Sequence, residues 1–93
     1  MNETLIAEAE IGEEARVFLE SDLGKCVLGM AEQEVLLARE MLEQVNPEDT
    51  KSIRELQNTI WKAKSFKNWL FELMDRGDAA LKIYIQEKHE QEN

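Results

Sequence analysis

The chain has 93 residues, a net charge of −9 and 43% hydrophobic residues, with one Pro and four Gly. A length of this order is one domain, and a composition led by Glu, Leu, Ala and Lys, with Gln also present, is that of a helical protein. The negative charge argues against a general nucleic-acid or anionic-membrane binder, since both need a cationic surface, and a single cysteine, Cys26, excludes an internal disulfide and a cysteine-based zinc site.

Residues 1–12 are acidic and small-apolar and read as a helical turn or a frayed end, weakly interrupted at Gly12. Ala15, Val17, Phe18 and Leu19 then predict a short first helix over 13–20, with Glu13 and Glu14 suited to its positive end. Ser21–Asp22–Leu23–Gly24 reads as a break, with Ser21 or Asp22 capping a second helix from about Leu23 to Val45. That helix carries two adjacent apolar stripes. One is Leu28, Ala31, Val35, Ala38, Leu42 and Val45; the other is Val27, Met30, Leu37 and Met41, with Glu34 intruding. A face this wide needs at least two neighbours. Gly29, with Cys26 beside it, predicts a close helix crossing at that point.

Asn46–Pro47 is the clearest punctuation. Asn46 suits an N-cap and Pro47 the first helical position, so a third helix is expected to begin almost at once. A short connection makes its two helices antiparallel neighbours. The third helix shows apolar residues at Ile53, Leu56, Ile60, Ala63, Phe66, Leu70, Leu73, Gly77, Ala80 and Tyr84, a helical period sustained over many turns. Gly77 followed by Asp78 predicts a kink or short break, then a helix from about Ala79 to Glu87, and residues 88–93 read as a flexible tail. The expected fold is all-α: a long antiparallel α-hairpin over 22–76 with short flanking helices, completed as an oligomeric helical bundle.

Signals of catalysis are nearly absent. The one histidine, His89, lies in the polar tail, and the Glu-x-x-His pattern of di-iron bundles fails because position 86 is Gln. There is no Gly-rich phosphate loop and no nucleophile elbow. No catalytic, metal or cofactor-binding residue is expected, and the chain reads as a non-enzyme. Arg76–Gly77–Asp78 spells a cell-adhesion tripeptide, but that use needs an exposed loop, and Gly77 has a sufficient role in ending a helix. The N-terminus lacks the basic and apolar regions of a signal peptide, and no apolar run is long enough to span a bilayer, which points to a cytoplasm.

The best candidate interaction segment is Trp61, Lys62, Lys64, Phe66, Lys67 and Trp69. Lysines among aromatics can hold single-stranded nucleic acid by stacking and phosphate contact. The helical phase favours another reading, in which Phe66 and Trp69 are core aromatics edged by lysine stems and Trp61 marks a second surface. Charge is also uneven: residues 1–50 hold thirteen acids against three bases, and residues 51–93 seven against eight. That asymmetry suits pairing with a basic partner or between subunits.

The cadence Ala15–Arg16–Val17–Phe18–Leu19–Glu20, then Gly24–Lys25 and Ala31–Glu32–Gln33–Glu34, resembles small proteins encoded by tailed bacteriophages and prophages. Ile53–Arg54–Glu55–Leu56–Gln57–Asn58, with Ala63, Phe66, Trp69–Leu70 and Gly77, is similar too. The resemblance spans most of 13–81 and implies a phage-encoded helical protein tied to virion assembly, with no catalytic residues. The leading expectation is a self-associating assembly or adaptor protein that presents its acidic N-terminal half to a basic partner. Its rivals are an acidic inhibitor that mimics nucleic acid and a nucleic-acid-binding accessory factor.

Overall fold

The computed structural model describes residues 2–92 as three helices: α1 (Asn2–Glu20), α2 (Asp22–Gln44) and α3 (Thr50–Glu92). Among these residues there is no strand. Met1 and Asn93, the outermost residues of the expected frayed end and tail, lie outside the described residues. The rest of both segments is helical, so α1 has 19 residues and starts well before the expected 13. Glu3 in its first turn favours the positive end of the helix dipole.

One residue separates α1 from α2. The Ser21 N–H donates to the carbonyls of Val17 (3.0 Å) and Phe18 (3.1 Å), and its hydroxyl donates to the Phe18 carbonyl at 2.5 Å. In these bonds Ser21 closes α1, and α2 starts with Asp22 in its first turn. The connection to α3 also differs from the expected cap. Asn46 Oδ1 accepts the Glu48 N–H (2.9 Å) and the Asn46 carbonyl accepts the Asp49 N–H (2.9 Å), so Asn46 builds a turn. Asp49 is the cap: its carboxylate accepts the Ser52 N–H (3.1 Å) and the Ser52 hydroxyl (2.7 Å), and its carbonyl accepts the Ile53 N–H (3.2 Å). Pro47 therefore lies in the turn rather than at the first helical position.

α3 is uninterrupted for 43 residues, about 64 Å at 1.5 Å per residue. Sheltered positions at Ser52, Leu56, Thr59, Ala63, Phe66, Leu70, Leu73, Gly77, Ala80, Tyr84 and Glu87 follow alternating steps of four and three, and Ile53, Ile60, Ser65 and Met74 are sheltered beside them. Within each unit such a rhythm keeps to one face of the helix. The expected break at Gly77 does not occur, and no glycine takes a positive φ. Gly77 is buried in a helix crossing instead.

The chain divides into two compact units: Met1–Ser21 with Trp69–Asn93, and Asp22–Asn68. The first, the α1 unit, packs α1 against the C-terminal half of α3. A Cβ placed on Gly12 would lie 2.9 Å from Gly77 Cα and 2.9 Å from the Leu73 carbonyl oxygen. One placed on Gly77 would lie 2.9 Å from Gly12 Cα and 3.1 Å from the Glu8 carbonyl oxygen. The two backbones touch, and only glycine fits at either position. Among the described residues Ala15 and Ala80 are the buried apolar side chains of this unit.

The second, the α2 unit, holds α2 and the N-terminal half of α3. Val45 lies near Ser52, Met41 near Leu56 and Thr59, and Val35 near Ala63. The first stripe read from the sequence, Leu28 to Val45, is the sheltered one, with Val35 and Ala38 buried against a seam holding Ala63. No close crossing forms at Gly29, whose added Cβ would meet nothing within 4 Å, and Cys26 is exposed. Ser65 is buried with its hydroxyl bonded to the Trp61 carbonyl at 2.7 Å, so its polarity is satisfied.

Candidate interaction surface

The two flanks of the α2 unit differ in chemistry. On one flank Glu32, Leu36 and Arg39 of α2 border a shallow groove with Lys64 and Lys67 of α3. Lys67 Nζ stands 3.9 Å from Glu32 Oε1, an exposed pair worth little by itself. The other flank carries Glu34, Leu37 and Met41 of α2 beside Leu56, Thr59 and Lys62 of α3. Here the second stripe of α2 is open to solvent. Met30, Leu37 and Met41 are between 49% and 66% exposed, and Leu23, one heptad before Met30, matches them at 66%. Val27 of the same stripe is half-buried. Leu23 lies outside the stripe expected from the sequence, and its spacing of seven residues from Met30 and fourteen from Leu37 is the signal that joins it.

The lysine–aromatic segment is dispersed. Lys62 belongs to the apolar flank and Lys64 and Lys67 to the charged one, because positions two and five residues on turn around the helix. Phe66 is half-buried in the α3 seam, as a core aromatic should be. Trp69 is 60% exposed and Trp61 65%, so Trp69 departs from the expected core role while Trp61 is a surface residue. The boundary between units falls at Asn68 and Trp69.

Charge is redistributed by the fold. The α1 unit holds twelve acids and four bases, net −8; the α2 unit holds eight and seven, net −1. Within the α1 unit, Arg16 is pinned between Glu13 and Glu20 on its own helix. Its hydrogen bonds to Glu13 hold that carboxyl below the usual range and raise the guanidinium correspondingly. Arg76 bonds Glu72 at 2.6 Å, and Arg76–Gly77–Asp78 lies inside a helix rather than on a loop.

Among the described residues no group of three or more His, Cys, Asp or Glu is placed to hold a metal, and no helix is long and apolar enough to cross a membrane. His89 is exposed in the last turn of α3. No protein-family model, no curated protein and no solved structure matches the chain.

Proposed function

We propose that the chain is a non-enzymatic assembly or adaptor protein that self-associates through the α2 unit and presents the acidic α1 unit to a basic partner. In this reading the antiparallel helix pair is the hairpin expected from the sequence, and a second copy completes it as an oligomeric bundle with coiled-coil packing. The observation that carries it is the open stripe Leu23–Met30–Leu37–Met41. Covering the exposed parts of four such side chains contributes roughly 1 kcal/mol each. Association itself costs at least about 4 kcal/mol, so the interface must recruit neighbouring surface, and affinity in the micromolar range is expected.

The near-neutral α2 unit suits contact between identical copies, whereas the −8 of the α1 unit opposes it. The likeness to phage proteins makes virion assembly the setting this reading favours. Light scattering across a concentration series tests it. The expected result is a concentration-dependent oligomer that Leu37→Glu with Met41→Glu converts to monomer while helicity is retained. A monomer at every concentration, or an oligomer indifferent to those substitutions, sinks it.

The charge of the α1 unit also favours a second reading, an acidic inhibitor occupying a nucleic-acid-binding site on a basic protein. That version requires capture to weaken steeply as salt is raised and to be competed by duplex DNA; capture without competition by DNA counts against it.

A further inference from the structure

Beside the Gly12–Gly77 crossing runs an open groove of about 370 Å³ between α1 and α3, lying wholly within the α1 unit. The two glycines contribute no side chain to it, so its walls are set by larger neighbours. Its floor is apolar: Leu5, Ile6, Ala9, Met74, Leu81 and Tyr84. Its charged lining is Glu10, Glu13 and Asp78 with one cation, Arg16, at the end beside Glu13. Glu13 is taken by Arg16, but neither Glu10 nor Asp78 joins an ion pair among the described residues.

The geometry points to this groove as the docking site for a cationic amphipathic helix of a partner protein. The identification rests on the adaptor reading above and names the chemistry of its basic partner. The groove extends from Leu5 to Arg16 on α1, about three turns. A third helix laid in a groove between two packed ones buries residues at i, i+3 or i+4, and i+7 on that length. Its flanking Lys or Arg side chains meet Glu10 and Asp78. A second copy does not satisfy the site: another α1 unit brings the same −8, and the chain's own lysine-bearing stretch has Ala63 and Phe66 already packed in the seam of α3. Nucleic acid is repelled by the same charge.

The test uses the full chain and a labelled synthetic helix of about four turns with Leu on one face and Lys on the other, beside a twin with Glu replacing Lys. Fluorescence anisotropy at low salt should show binding of the Lys peptide alone. Glu10→Lys with Asp78→Lys should weaken it about tenfold or more. Glu40→Lys with Glu43→Lys changes net charge by the same amount on exposed positions of the α2 unit, and should cost no more than about twofold.

Equal weakening by both pairs, equal binding of the Glu twin, or no binding to a chain of normal helicity overturns the assignment. So does loss of self-association in the Glu10→Lys, Asp78→Lys variant, which would make a second copy the occupant. Leu37→Glu with Met41→Glu separates the two proposals. If self-association is absent but peptide binding persists, the assembly reading alone fails; if peptide binding is absent and self-association persists, the groove assignment alone fails.

Discussion

The α1 unit and the α2 unit each use part of one helix, α3, yet they solve the packing problem differently. In the α1 unit the seam narrows to glycine against glycine, with backbone on backbone. In the α2 unit it is filled by Val35, Ala38 and Ala63, with Leu28 and Leu42 half-buried on either side. The α1 unit concentrates charge, while the α2 unit is near neutral and leaves an apolar stripe open. The lesson is that a regular seam fixes direction but not separation. Separation follows from the smallest side chains, and the surface left outside the seam decides what each unit can bind.

The sharpest way to break that contrast is to add bulk where backbones touch. Gly77→Leu should destabilise the α1 unit by about 3 kcal/mol, because Gly12 Cα and the Glu8 carbonyl are backbone and cannot step aside. Amide hydrogen exchange should then show residues of α1 losing protection while α2 keeps its own. Equal loss in both units would mean that they do not unfold separately.

Ala38→Leu is the matching insult to the α2 unit. Ala38 is 3% exposed, and overpacking there should cost about 2 kcal/mol. The cost should be smaller than at Gly77, since side chains rather than backbone can yield, and chemical denaturation of the two variants ranks them.

Gly29→Ala inverts the sign. Nothing lies within 4 Å of the added methyl, so the helix should gain about 0.5–1 kcal/mol. A loss on thermal or chemical unfolding would show that Gly29 does meet a neighbour in solution, as a second copy of the chain would provide.

The smallest effect belongs to the cap. Asp49→Ala should lower Tm by a few degrees through loss of the bonds to Ser52. Those bonds, the hydroxyl first, hold the Asp49 carboxyl below its ordinary value of 3.8. A depressed carboxylate stabilises the fold at neutral pH, and the contribution is lost as pH falls below about 4 through the folded value. The difference in Tm between the parent and the variant should therefore shrink in acid.

Much of this architecture was legible in the chain. The stripe Leu28–Val45 could be read because its six apolar residues, spaced in threes and fours, share one face of a helix and would scatter over both faces of a strand. The rhythm of α3 was legible on the same ground. Gly77 was misread because glycine marks both helix ends and close crossings, and the choice depends on a partner far away in sequence. Gly29 was misread in the opposite sense, since its small neighbours suggested a contact that no element supplies. Asn46 and Asp49 are both good caps, and which of them is used depends on how the turn around Pro47 closes.

The sequence by itself determined the all-α class, the sheltered face of α2, the length of the rhythm in α3 and the excess of acid. These follow from periodicity and composition, which are local properties of a helix. Only the tertiary structure decided that Gly12 meets Gly77, that α3 runs through Gly77 unbroken, that Lys62 parts from Lys64 and Lys67, and that the charge gathers as −8 on one unit and −1 on the other. The physical reason is the same in each case. A helix sets which residues share a face, but which faces meet, and how closely, depends on side chains brought together from distant parts of the chain.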